Sequence, residues 1–250
     1  MNGQIIEPGE SVWRRLYRLG GAAALFFFVY SIITMIAMTL LGMPPTTAEE
    51  AFSLLQDNRL VGLIRLDLLT VIAMPLYYLL YAGMSIALWR TDKTRAILAA
   101  ALVFIGVTLH LATPSVASMV HLSGQYAAAA TEARKALYLA AGETVIASDM
   151  WHGTGAIVGI LFITSAGMLI SIAMLQGKVF GKGTAYVGIL ANGLDLARLL
   201  IGFFTPSVEI ILLTIAGSLY LVWYLLVGRR LLQLGRAAIQ DKGFRIQAMS

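Results

Sequence analysis

Residues 184–204 read TAYVGILANGLDLARLLIGFF, an apolar run interrupted near its middle by Asn192, Asp195 and Arg198. About 20 such residues cross the hydrocarbon core of a bilayer. A charge at its centre costs at least about 2.5–3.5 kcal/mol, so it normally pairs and faces protein or trapped water. Asp195 and Arg198 have the i,i+3 spacing that brings side chains together on one helix face. Asn192 lies one turn earlier on that face. The run therefore predicts a membrane span that carries a sheltered acid–base pair.

The rest of the chain agrees with a membrane class. Of 250 residues, 59% are hydrophobic and 12% are charged, and the mean hydropathy is +0.81. Soluble domains carry about 25% charged residues. A net charge of +5 is too small to suggest a nucleic-acid partner and here reports loop basicity. Cysteine is absent, which excludes disulfides, thiolate metal sites and thiol catalysis.

Hydropathy divides the chain into an all-α bundle of six transmembrane helices, at 20–43, 61–89, 96–120, 153–175, 184–204 and 208–227. Residues 1–19 form a basic N-terminal segment. Residues 121–150 form an extracytoplasmic helical loop, whose 125–141 portion reads as a solvated surface helix or a lid. Residues 228–250 form a basic tail suited to an anionic leaflet. Pro114 predicts a kink in the third span, and Gly155 and Gly159 a close helix approach in the fourth. With six spans, thirteen of the eighteen Lys and Arg residues fall on one side and three on the other. The positive-inside rule then places both termini in the cytoplasm.

A rise of about 1.5 Å per residue puts Asp195 about 16 Å above the inner end of its span, and Arg198 and His110 about 21 Å above theirs. Arg65, Asp67, Asp149, His152 and Glu209 fall near the outer ends of descending spans. The expected ligand-binding or proton-relay set is Asp195, Arg198, Asn192, His110, Asp67, Arg65 and Glu209. Asp195 is expected to pair with Arg198 and Asp67, and Arg65 with Glu209. The simpler alternatives are a structural ion pair at Asp195/Arg198, interfacial anchoring by Arg65 and Asp67, and an interhelical hydrogen bond from His110. Tyr77, Tyr78 and Tyr81 read as packing.

No hydrolase or nucleotide-binding signature is present. Asp149 and His152 share a helical face and, with His110, define an alternative zinc site of the three-ligand kind. No cofactor is expected outside that alternative. Bridging of a haem by His110 and His152 is set aside, because their depths mismatch by several residues.

Arg65-Leu66-Asp67-Leu68, Trp151-His152-Gly153, the stretch 188–194 and the ending 219–227 are similar to the bacterial polytopic proteins of domain-of-unknown-function family 4386. The likeness covers residues 14–234, with 125–141 atypical for the family. It implies about six spans and no established activity, and it supplies no catalytic residue. The expected function is binding or transport of a small polar ligand or protons through an outward-facing pocket. A metal-dependent intramembrane hydrolase and a structural subunit of a membrane complex are the alternatives. The expected partners are lipid and, at most, a second copy or a membrane complex.

Overall fold

The computed structural model describes residues 8–113, 116–149, 151–202 and 204–247, so the expected Pro114 kink lies outside the described residues. The described residues form helices α1 (Pro8–Leu41), α2 (Ala48–Asp57), α3 (Arg59–Arg65), α4 (Leu68–Ala73), α5 (Leu76–Leu88), α6 (Lys93–Ala112), α7 (Val116–Ala127), α8 (Glu132–Ala147), α9 (Thr154–Gln176), α10 (Lys182–Ile201) and α11 (Pro206–Gln247), with no strand among them. Five stretches are long and apolar enough to cross a membrane: Val12–Leu41, Lys93–Ala127, Thr154–Gln176, Lys182–Ile201 and Ser207–Arg236. Phe26, Ile33, Leu40, Phe104, Leu190, Leu200 and Ile210 stay exposed on them, the pattern of surfaces that meet lipid rather than water. The chain is a multi-pass, all-helical membrane protein.

The helices differ from the sequence reading in three places. The expected 61–89 span is broken into α3, α4 and α5, of which Leu76–Leu88 is the longest apolar piece. Asp67 interrupts it with φ +66°, the sole positive φ outside glycine among the described residues. The break moves two hydrogen bonds: the Asp67 N–H donates to the Ile64 carbonyl and the Thr70 N–H to the Asp67 carbonyl. The α-helical acceptors, Leu63 and Leu66, lose those donors. Hydropathy responds to side chains only and does not register such a break. The second difference is at the ends, where α1 and α11 run through the expected boundaries at residues 19/20 and 227/228 without interruption. Third, the helix expected at 125–141 is divided: its first residues end α7 at Ala127 and the rest belong to α8 from Glu132.

The contacts divide the chain into two compact units: Met1–Val29, Leu76–Phe104 and Ile163–Ser250 form the first, and Tyr30–Pro75 and Ile105–Phe162 the second. In the first, Trp223, Tyr81, Phe27, Leu80, Met84, Ile170, Met174 and Leu231 are fully buried. Aromatic rings organise this core. Phe27 lies 4.2 Å from Tyr77 and 5.4 Å from Tyr224 between centroids, and the Tyr77 and Tyr224 hydroxyls are hydrogen-bonded at 2.7 Å. A Cβ on Gly20 would lie 2.9 Å from the Leu79 carbonyl oxygen, so α1 and α5 meet backbone to backbone there, as small residues allow in lipid.

The second unit has its own core, in which Ala48, Ala51, Phe52, Leu55, Met119 and Ile146 join α2, α7 and α8. The Glu143 carboxylate accepts the Ala48 N–H at 2.7 Å, placing negative charge at the N-terminus of α2 where the helix dipole favours it. Gly142 permits this packing, because a Cβ there would come within 2.6 Å of Ala48 Cβ. In the same unit Gly159 seats α9 on α6: its Cβ would meet the Gly106 carbonyl oxygen at 2.6 Å, and one on Gly155 would meet Thr113 Oγ1 at 2.9 Å. The expected small-residue contact is present.

Candidate functional site

The polar seam of the first unit begins on α10. Asn192 and Asp195 are buried there because both project from the face turned toward α11, the partner with which α10 packs most extensively. Arg198 Nε donates to Asp195 Oδ1 at 2.5 Å, and the two side chains are only 12% and 10% exposed. The guanidinium reaches on through Nη1 to Glu209 Oε1 at 3.2 Å. The Tyr220 hydroxyl lies 3.0 Å from Asn192 Oδ1 and 3.3 Å from Asp195 Oδ2. It has a single proton to give to one or the other. Asn192 Nδ2 donates to the Gly188 carbonyl at 2.7 Å.

Three glycines make room for the seam. A Cβ on Gly167 would collide with the Asn192 carboxamide, and one on Gly202 would lie 2.7 Å from the Glu209 carboxyl carbon. At Gly188 it would collide with Ser171 Oγ and Trp223 Nε1. Those two atoms are buried and make no hydrogen bond among the described residues. Partnered groups therefore run from Glu209 to Asn192, and the seam ends in an unfilled donor and hydroxyl.

One guanidinium serves two carboxylates, so the Asp195–Arg198–Glu209 triad carries a net negative charge when all three groups are ionised. Uptake of one proton neutralises it. Together with the Tyr220 hydroxyl, which can give and receive a proton, the arrangement suits proton storage or transfer inside an apolar helix pair.

The other expected residues belong to the second unit. Arg65 donates through Nε and Nη2 to the Met43 carbonyl at 2.9 and 2.6 Å, and Nη2 also donates to Glu50 Oε1 at 2.6 Å. The expected Arg65–Glu209 pair is thus replaced by Arg65–Glu50 and Arg198–Glu209. Asp67 Oδ1 accepts the Thr70 hydroxyl at 2.5 Å, and Thr70 Oγ1 is hydrogen-bonded to the Tyr30 hydroxyl. His110 is buried. Among the described residues its ring nitrogens have no partner at full hydrogen-bond geometry, the Ala156 backbone being near enough for a weak one.

Asp149 and His152 meet as their spacing predicts, at 3.0 Å. Asp149 also accepts the backbone N–H groups of Trp151 and His152 at 2.8 and 3.1 Å, so it closes the turn before α9. Among the described residues, no three His, Asp or Glu side chains gather closely enough to hold a metal ion. The alternative zinc set of His110, Asp149 and His152 is therefore not assembled among them.

Sequence reasoning missed Tyr220, Ser171 and Trp223. A signal was available for Tyr220: it follows Glu209 by eleven residues, about three helical turns, and so shares its face. Ser171 and Trp223 carry no such signal, because each is an ordinary span residue until its neighbour across the helix pair is known.

The fold and the seam define a multi-pass helical membrane protein with a buried acid–base network. The chain matches no family model, no curated protein and no solved structure.

Proposed function

We propose that this protein is a transport-type component of a bacterial inner membrane that moves protons, or a small polar ligand with them, along the α10–α11 seam. The observation that carries the reading is the pair of carboxylates, Asp195 and Glu209, held by the single guanidinium of Arg198 within apolar helices. Satisfied charges of this kind are retained at a cost in lipid, and in membrane proteins they mark ion and proton pathways. The topology that goes with it has six spans, counting the broken α3–α5 segment as the second, with both termini cytoplasmic. Interrupted helices also occur at the ion and substrate sites of transporters. Membership of domain-of-unknown-function family 4386 belongs to the same proposal.

The second reading is a structural clamp, and the near-complete pairing of the triad favours it. Flux separates the two. In liposomes carrying a pH-sensitive dye, the wild type collapses an imposed proton gradient, whereas Asp195→Asn, which keeps the shape and the Tyr220 contact, does not. Equal flux in both would refute the transport reading. A folded but equally inactive wild type would leave the clamp as the function of the triad.

A further inference from the structure

Asp67 sits at the break between α3 and α4, and Arg65 lies between two small cavities near it. One cavity, of about 20 Å³, is lined by Thr34, Gly42, Pro44, Arg65 and Asp67 among others. The second, also about 20 Å³, is lined by Pro44, Arg65, Leu66, Asp149 and Trp151 together with apolar side chains. Pro44 and Arg65 border both and therefore form the partition. Each volume exceeds the 10–15 Å³ that a single water needs, and each has polar groups to hold one.

The partition is of a kind that can move. The Arg65 guanidinium lies over Gly42, whose φ is +96° and whose Cβ, if present, would lie 3.5 Å from Arg65 Cζ. It is held there by the Met43 carbonyl and by Glu50, whose side chain is 40% exposed. Hydrogen bonds to an exposed partner exchange readily with water. The helix break adds polar backbone beside the partition: the Leu63 and Leu66 carbonyls have lost their helical donors, and Leu66 lines the cavity beside Asp149, where a water can serve as the missing donor.

We propose that Arg65 is the stopper of a narrow hydration route in the second unit, which runs from the cavity beside Asp149 and Trp151 to the buried carboxylate of Asp67 and carries water and protons. A proton arriving as hydronium is taken up by the Asp67 carboxylate, which becomes a carboxylic acid and leaves a neutral water behind. The charged and titratable groups around the route are Arg65, Glu50, Asp149, His152 and Tyr30. Arg65 is balanced by Glu50, so Asp67 and Asp149 leave the route negative and attractive to protons whenever His152 is neutral. The route shares no residue with the Asp195 seam, and it stands or falls without it.

The absence of cysteine supplies the test. Thr34→Cys places a thiol on the inner cavity, and its S–H stretching band is the sole one in the infrared spectrum of the full chain. Transfer of the reconstituted protein to D2O converts that band to S–D at a measurable rate if water reaches the cavity. With Arg65→Ala added, conversion is expected to be roughly tenfold faster or more, the effect of removing a charged hydrogen bond that holds the stopper. Ala173→Cys, at a position fully buried in the first unit, keeps its S–H band in both backgrounds; its loss in the Arg65→Ala background would reveal global unfolding instead. Ala37→Cys, on the same cavity, repeats the measurement should Thr34→Cys fail to fold. A thiol at 34 or 37 that exchanges no faster than the one at 173 overturns the route. Exchange at the same rate with and without Arg65 overturns its role as stopper.

Discussion

At Arg198 one side chain holds two carboxylates of unequal burial, and the consequences of replacing it differ accordingly. Arg198→Met strands Asp195, which is 10% exposed, and is expected to cost about 3–5 kcal/mol as a broken buried pair. Glu209 is 36% exposed, so Glu209→Gln is expected to cost under about 1 kcal/mol. Unfolding midpoints in detergent check both, and equal losses would mean that Glu209 is as buried as Asp195. Arg198→Lys preserves the charge but not the fork that reaches Asp195 and Glu209 from different nitrogens. It should fall between the other two. Gly167→Ala brings a methyl group into the Asn192 carboxamide, and about 1–3 kcal/mol of overpacking is expected.

The helical elements show which parts of the structure are legible in the sequence and which are not. α10 was readable because a polar triad at i, i+3 and i+6 stands out against an apolar run, and the two charges are indeed neighbours. The Gly155/Gly159 contact was readable for a similar reason, since small residues at four-residue spacing have a specific use in lipid. The broken second span was not. Every residue from Leu68 to Leu88 suits a continuous helix except Pro75, and the left-handed backbone at Asp67 leaves no trace in hydropathy.

The connection at 121–150 was half readable. Glu132 and Arg134 are exposed as their charge suggests, and Lys135 pairs with Glu132 at 3.0 Å. The buried face of α8 instead lies at Gly142 and Ile146, beyond the alanine-rich portion, where there is little periodicity to read. A test at this scale is Glu143→Ala. It removes the carboxylate that accepts the Ala48 N–H and is expected to cost about 0.5–2 kcal/mol, as loss of an N-terminal cap does. Faster amide hydrogen exchange confined to α2 would show the effect. Unchanged exchange there would mean that Thr47, whose side chain accepts the Glu50 N–H, caps the helix without help.

For the whole molecule, composition determined the class and five long apolar helices bear it out, while the side of the membrane on which each loop lies is an expectation from charge counting alone. Cysteines introduced singly at Arg134 and at Lys178 give a direct check in right-side-out vesicles. An impermeant thiol reagent should label position 134 and not 178. The reverse pattern would invert the topology, and labelling of both on the same side would change the number of spans.

The central claim is that the bilayer interior holds a carboxylate at Asp195 because protein shelters it and because it takes up and gives back a proton there. Infrared difference spectra of the reconstituted protein, recorded between two pH values, measure this most directly. The account predicts a carboxylic-acid C=O band that appears as the pH falls and is missing in Asp195→Asn. Spectra of folded wild type and Asp195→Asn that are identical in the carboxyl region would contradict it, leaving Asp195 as a permanently ionised strut.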